Sequence, residues 1–546
     1  VLTQNRKRKV KVVTVYAEVS KNIVLDRLAT GQITGCGPVV PPLTIENVEA
    51  SPTIVAQMGP EPILEAMTAN PDFDILIAGR AYDPAPYIAY CAFQALKSSP
   101  GTFESLGGSL LGCFTHMGKI MECGALCATP KGRGAVATIY TDGTFNIKPT
   151  DSKARCTPLS VAAHTLYEKT RPDLLYGPGG WLDLTATKYE QLEDDVSIRV
   201  RGGNFNFTTD TGSPYTVKLE AARLVGYRTI FIGSFSDPIL MSQIESYLET
   251  GKEYVGKQFA ESAGKWKLHW HVTGLEEKAS NPKFVPKKIT VVGEVLADTQ
   301  DLANGVANIA RVYCVHGPYE GQKATSGNFA MGIGGNLDLP MGECAEFSIY
   351  HLMDVSPGEE TSREVKKGHV LQTQNGSAMF SWKKILVGDV GHPDRRTPIP
   401  RVKVPLKIQH PHPIETSHKK PSIPSSPRAV QDIAKVIRSK NAGPFELTFD
   451  IMFEDVSVYQ AVKNSNLLSP ETVKELYKLG SVDEIVWCGF FDQALAFKVT
   501  LPRTRDGRVV PSGGFMEDDV HGSQQYMPFM ELPLGDKLVK ELEGLS

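Results

Sequence analysis

Between Thr115 and Gly132 the chain reads THMGKIMECGALCATPKG, which gathers His116, Glu122, Cys123 and Cys127 within twelve residues. Such residue types serve a metal centre, a cysteine nucleophile with its base, or a general acid and base. The spacing disfavours zinc. On one helix His116, Cys123 and Cys127 would share a face but spread over about 16 Å at ~1.5 Å per residue, whereas zinc takes every donor within about 2.3 Å. A cysteine nucleophile needs a cation or histidine to hold its thiolate, and His116, Lys119 and His164 are available. Free cysteines also act as small core residues, so inert thiols are the plain alternative. The acid–base option takes His116 and Glu122, with the carboxylate in a bend flanked by Gly118 and Gly124, where burial would tune it toward neutrality.

Other candidates lie where loops are expected. Gly79-xxx-Asp83-Pro84 and Gly233-xxx-Asp237-Pro238 match in type, each between an apolar strand and a helix. Each aspartate is expected to cap the helix that its proline opens. Such loops lie at the carboxyl ends of strands, where α/β sheets bind ligands, and Arg80 is then placed for an anionic group. Asp183 follows GPGG and is either a base or a turn residue. Gly177, Gly179 and Gly180 either bring backbone close to a phosphate or carboxylate or simply form a turn. His164 falls in an otherwise apolar helix and reads as a packed residue. Near the chain end Lys440, Asn441, Asp519, His521 and Gln524 form a polar set that either completes a site on the main domain or only mediates assembly.

The elements that must position these residues read as strands alternating with helices at first. VKVVTVYAEV is a strand, SKNIVLDRLATG a helix ending at Gly31, and DFDILIAGRAYDPAPYIAYCAFQAL a second strand and helix. That alternation predicts an α/β fold: a mostly parallel sheet with helices on both faces over 1–110, and an α+β middle region over 111–399. GAVATIYTDGTFNIKP is a hairpin turning at Asp142-Gly143, CTPLSVAAHTLYEKTRPD a helix running up to Pro172, and Ile289 to Val390 antiparallel strands. From Pro400 to Arg428 seven prolines and six Lys/Arg stand against one Glu415, which predicts an extended linker. His410, His412 and His418 within it lack the thiols or carboxylates of a good metal site. Residues 429–546 form a small α/β domain.

The bulk numbers exclude several classes. Hydrophobic residues at 41% and charged residues at 22% are ordinary for a globular chain, whose 546 residues need more than one core. A net charge of −3 offers no general attraction to nucleic acid. Nine cysteines at irregular spacing suit reduced thiols in the cytoplasm, and no apolar run reaches the roughly 18 residues of a membrane span. Neither GxGxxG after a strand, GxxxxGK[ST], HExxH nor GxSxG occurs, so no cofactor is called.

ILIAGRAYDPAPY, GKIMECGALCATPKG, CTPLSVAAHTLYEKTRPDLLYGPGGWLDLT and DDVSIRVRG, in that order, resemble the acyclic terpene utilisation family AtuA over roughly residues 10 to 390. IRSKNAGPFELTFDIMF and DDVHGSQQY resemble the small uncharacterised domain fused to such proteins or encoded beside them. The family usually opens with a further glycine-containing strand and helix, expected to be absent here. The resemblance implies catabolism of small carboxylates or their coenzyme A thioesters, with the thioester a substrate and not a cofactor. Together with the residues it predicts a hydro-lyase or isomerase acting through His116, Glu122, Asp83 and Asp183. The alternative is a non-catalytic partner of another enzyme. Either way a cytoplasmic homo-oligomer is expected.

Overall fold

Residues 10–275, 287–323, 326–331, 336–366, 368, 377–387, 424 and 426–545 are described by a computed structural model. Most of the proline-rich stretch, with His410, His412 and His418, lies outside them. The first strand, β1 (Val10–Tyr16), buries Val10, Val12, Val13 and Val15, and α1 (Lys21–Ala29) ends before Gly31, whose φ of +72° turns the chain. Two more strand–helix units follow: β2 (Ile54–Gln57) with α2 (Glu61–Ala69), and β3 (Ile75–Ala78) with α3 (Ala85–Ser98). β1 and β3 pair in parallel, from Val12 opposite Ile75 to Val15 opposite Ala78. The other edge of β1 is covered antiparallel by Phe380–Val387, from far along the chain.

The two matched loops differ. Asp237 caps its helix through Ile239 N (2.8 Å) and Leu240 N (3.4 Å). Asp83 caps nothing, because its Oδ1 accepts from Arg80 Nη1 at 3.2 Å and α3 starts from Pro84 without a side-chain cap. A fixed guanidinium next door competes successfully for the carboxylate that backbone amides would otherwise hold.

α4 (Gly107–Met121) is buried along most of its length, and α5 (Pro158–Leu166) is opened by a Thr157–Ser160 capping box. Then come the tight hairpin β4 (Leu174–Gly177) and β5 (Gly180–Asp183), and β6 (Asn204–Phe207), which pairs with β5. α4 lies against β6 so closely that a Cβ on Gly112 would fall 2.3 Å from the Gly203 carbonyl oxygen.

The spine of the largest sheet is β7 (Tyr215–Phe235), which is 21 residues long. It pairs antiparallel with β2, with β8 (Ile289–Ala297), and with β9 (Leu339–Val355) along most of its length. Every pairing described in this sheet is antiparallel, and the parallel pair β1 and β3 belongs to a separate four-stranded sheet, so within an α/β molecule the mostly parallel sheet expected over 1–110 is reduced to that one pair. Between β8 and β9 stands α6 (Gln300–His316), a helix where strands were expected. Its signal is in the sequence, since Ala303, Val306, Ala307, Ala310 and Cys314 repeat every three or four residues behind the cap Thr299.

The C-terminal domain is one antiparallel sheet ordered β10 (Val436–Asn441), β11 (Glu446–Met452), β13 (Ala496–Pro502), β12 (Trp487–Phe491). Phe449, Ile451, Phe497 and Val499 face its own helices, in one core with Tyr459 and Phe529. The alternate residues Thr448, Asp450, Lys498 and Thr500 are also buried, because that face lies on the first domain. Met452 and Ala496 there join Ala162, Leu166, Leu175 and Leu182 in a shared apolar cluster.

That docking explains why α5 stops at Leu166 and does not run to Pro172. Lys498 Nζ donates to the Leu166 carbonyl (3.1 Å) and Arg438 to that of Ala163, and Asp450 joins both cations, at 2.7 Å each. The last carbonyls of a helix need donors, and here cations from another domain supply them. Beyond Leu166 the backbone is extended at Tyr167 and left-handed at Glu168 (φ +59°).

Gly112→Ala is expected to destabilise the chain by about 1–3 kcal/mol through overpacking, whereas Gly256→Ala, in a helix with nothing near its Cβ, should stabilise it by about 0.5–1 kcal/mol; chemical denaturation of both variants checks the contrast. Lys498→Met leaves Asp450 with one cation and should cost about 3–5 kcal/mol, read as an earlier melting step and faster proteolysis of the C-terminal domain.

Candidate active site

The carboxyl ends of β2 and β3 are tied together: Met58 N donates to the Arg80 carbonyl (3.2 Å) and Tyr82 N to that of Met58 (2.8 Å). The 80–83 loop thus faces β7, where Lys218 and Glu220 sit two residues apart on one side. Glu220 accepts from Arg80 Nε at 2.5 Å and Nη2 at 3.2 Å, and Lys218 Nζ lies 3.1 Å from it. Those cations hold the Glu220 carboxyl below its ordinary range against its burial. Arg80, expected to take an anionic ligand, is thereby spent within the protein on Glu220 and Asp83.

Lys119 and Glu122 come from the end of α4, placed beside the 80–83 loop because Gly118 lets Pro84 approach; a Cβ there would stand 2.9 Å from Pro84 Cβ. Lys119 is buried and pairs with Glu122 Oε1, which leaves Oε2, also buried, without a partner among the described residues. Burial pushes the Glu122 carboxyl up, with Lys119 and Lys169 opposing. The buried Tyr82 hydroxyl is likewise without a partner, and burial, then Glu122 and Asp83, push it up as well.

Lys169 completes the cluster. Its Nζ lies 5.4 Å above the Tyr82 ring and has no hydrogen bond or ion pair among the described residues. Burial, and then Lys119, lower it to about 8, although Glu122 and Asp83 pull the other way. Its backbone is fixed by the C-terminal domain. Thr448 Oγ1 donates to the Lys169 carbonyl (3.3 Å), Thr500 Oγ1 to that of Thr170 (2.7 Å), and Thr170 Oγ1 to Glu446 Oε2 (2.6 Å). Tyr167 next to it has Lys119, Arg438 and Lys440 within 6.0 Å of its ring.

The residues singled out in the sequence separate into two groups. Glu122, Asp83 and Arg80 belong to this cluster, and Lys440 reaches its edge, 3.6 Å from Glu168. Gly177 supports it, since a side chain there would meet the Tyr82 ring at 2.8 Å; Gly179 and Gly180 pack on Tyr215 and Phe205 in the same hairpin turn. His116 is elsewhere in character. It is buried edge-on to Phe145 and Tyr189, its Nε2 is 2.9 Å from Thr165 Oγ1, and burial lowers it to about 3. Its Nδ1 has no partner among the described residues, but the ring stays neutral among aromatics and Glu122 is taken by Lys119, so the pairing of His116 with Glu122 gives way to Lys119 with Glu122. Asp183 is held in its own turn by Thr185 N (2.8 Å) and Oγ1 (2.7 Å). Asn441 bonds Arg503 and the Val520 carbonyl, while His521 and Gln524 are exposed in that same turn. Cys123 is half-buried beside Lys119, and burial raises its thiol; Cys127 and Cys156 are fully buried. No group of three or more His, Cys, Asp or Glu able to hold a metal ion occurs among the described residues.

Lys169, Tyr82, Lys218 and Glu220 were not anticipated. Lys119 carried a usable signal, a lone lysine on the apolar run LLGCFTHMGKIM; Lys169 did not, because TLYEKTRPD reads as an exposed helix end. No described helix is long and apolar enough to cross a membrane.

Comparison with known families matches residues 2–328 to the acyclic terpene utilisation family protein AtuA, and residues 430–533 to a domain of unknown function, DUF4387. No curated protein and no solved structure matches the chain.

The buried histidines set an acid response. His116 and His164 have pKa values lowered to about 3 and about 4, against 6.5 when unfolded, so the unfolded chain binds more protons below pH 6.5. Stability is fully present above pH 6.5 and falls as the pH drops toward 4, by roughly 1.4 kcal/mol per pH unit per histidine at full effect. Thermal melts from pH 7 to 4 check this, and His116→Leu should flatten the slope.

Proposed function

Since the chain belongs to the acyclic terpene utilisation family AtuA, we propose that it is an acid–base enzyme of small-carboxylate or acyl-CoA catabolism, a hydro-lyase or isomerase working without a redox cofactor. The observation that carries this reading is a pair of buried oxygens, Glu122 Oε2 and Tyr82 Oη, without partners among the described residues, in one charged cluster with Lys169. Buried polar atoms are nearly always paired, and those left open are places where a ligand or water belongs.

The chemistry needs a base, an acid and an anchor for negative charge. Glu122 is held by Lys119 through one oxygen and offers the other to a proton next to a carboxylate or thioester carbonyl. Burial raises its pKa toward the range where it can both take and return that proton. Tyr82 and Lys169 are the donors for the enolate oxygen that develops, and each such donor typically contributes about 3–4 kcal/mol to the transition state. Water is then added or removed at the neighbouring carbon, or the double bond shifts. The alternative, a non-catalytic partner subunit, rested on the fused small domain. That domain spends its polar sheet face on its own chain and fixes the backbone of Lys169.

Short 2-enoyl and 3-hydroxy carboxylates, free and as CoA thioesters, incubated with the protein in D2O, should gain deuterium at the carbon next to the carbonyl, followed by NMR. Glu122→Gln and Tyr82→Phe should each slow exchange at least about 100-fold. Unchanged exchange in Glu122→Gln, or none with any compound, overturns the proposal.

A further inference from the structure

We propose that Lys169 is a covalent catalytic residue that forms an imine with the carbonyl carbon of an oxo acid. The inference rests on the acid–base reading above and narrows its substrate class to short 2-oxo or 3-oxo carboxylates. It is motivated by arrangement. An amine nucleophile must be uncharged, aimed at open space and free of a carboxylate that would hold its proton. The other buried or half-buried cations around it are tied to acids: Lys119 to Glu122, Arg438 and Lys498 to Asp450, Lys218 and Arg80 to Glu220. Lys169 has no such partner among the described residues, and its Nζ lies over the face of Tyr82, whose hydroxyl is also unengaged. Desolvation and the field of Lys119 favour the neutral amine, the combination that makes a lysine nucleophilic near neutral pH.

The neighbours supply the remaining parts. Lys119 and Lys218 are the cations whose fields act on Lys169, with Glu122 and Asp83 opposing them. The Lys169 and Thr170 carbonyls are held by Thr448 and Thr500, and the Thr170 hydroxyl by Glu446, so the amine is carried on a fixed backbone although its segment is not helical.

The step balances as follows. The nitrogen lone pair bonds to the carbonyl carbon as the C=O π pair moves to oxygen. One proton passes from nitrogen to that oxygen by way of the Tyr82 hydroxyl, which gives a neutral carbinolamine. The Glu122 carboxylic acid then protonates the hydroxyl, which leaves as water, and the nitrogen lone pair forms the C=N bond of a protonated imine. The Glu122 carboxylate, charged by that transfer, removes a proton from the adjacent carbon, and the C–H pair moves toward the iminium to form an enamine. Glu122 is again an acid. Return of the proton and addition of water run the sequence backward and free the amine. No oxidant or reductant is consumed.

The full-length protein is treated with pyruvate or acetoacetate and then with sodium borohydride, which reduces an imine to a stable secondary amine. Peptide mass spectrometry should find about one reduced adduct per chain, on Lys169, with either or both acids. The adduct should be lost in Lys169→Arg and persist, formed more slowly, in Tyr82→Phe. Its yield should rise with pH through about 8, where the amine loses its proton. No adduct with either acid, or an adduct spread over other lysines and unaffected by Lys169→Arg, overturns the proposal. Failure here is separable from failure of the acid–base reading. Deuterium exchange sensitive to Glu122→Gln, without an adduct, removes the imine and leaves that reading. An adduct on Lys169 without exchange into any enoyl or hydroxy compound keeps the imine and removes hydration.

Discussion

The site depends on the buried contact between Asp450, Lys498 and Arg438 and the end of α5. Lys498 is fully buried and Asp450 nearly so, and each would be costly without its partners. The charges are tolerated because the carboxylate is shared between two cations and the cations also satisfy the Leu166 and Ala163 carbonyls. A helix end that would otherwise carry orphan acceptors becomes the seat of a second domain. The chain leaves the helix there, and Lys169 arrives three residues later.

This arrangement couples assembly to chemistry. The main domain contributes Glu122, Lys119, Tyr82 and the amine itself. The small domain contributes the hydrogen bonds that hold the backbone carrying that amine. A second contact at the other side of the docked domain repeats the theme: Glu294 accepts from His271 (2.8 Å) and from Met516 N (2.9 Å), and Arg228 donates to the Gly514 carbonyl at 3.0 Å. Both contacts put polar side chains of one domain on backbone groups of the other, a mode that sets position more than it adds stability.

Within the main domain, charge is divided by whether it is paired. Arg80, Glu220 and Lys218 form a closed network beside the cluster, and its ions have what they need. Among the described residues, Glu122, Tyr82 and Lys169 keep an open oxygen, an open hydroxyl and an open amine. An unpaired buried polar atom is tolerated where a ligand supplies the missing partner, and two of them beside an unpaired amine mark the place where one fits. His116 Nδ1 is also buried without a partner among the described residues, but it stands alone, with its ring walled by Phe145 and Tyr189.

The sequence by itself determined the α/β class, the strand–loop–helix unit around Asp83, the hairpin at Asp142-Gly143 and the family, because each is written in local periodicity, turn residues or motif order. It also held the period of α6, legible in Ala303, Val306, Ala307 and Ala310. Glu122 was legible as a carboxylate in a glycine-flanked bend, and Asp83 and Arg80 as strand-end residues. Only the tertiary structure decided their partners. Thr448, Asp450, Lys498 and Thr500 alternate with apolar residues as a solvent-facing strand side does, and nothing local says that a second domain covers them. Arg80 chose Glu220, 140 residues away, over a ligand, and Asp83 chose Arg80 over its helix. Lys169 became a neutral-prone amine through burial and through Lys119, which lies fifty residues earlier. Local pattern follows from backbone sterics and side-chain period. Protonation and pairing follow from which distant charges share a low-dielectric space, and only the folded chain specifies that.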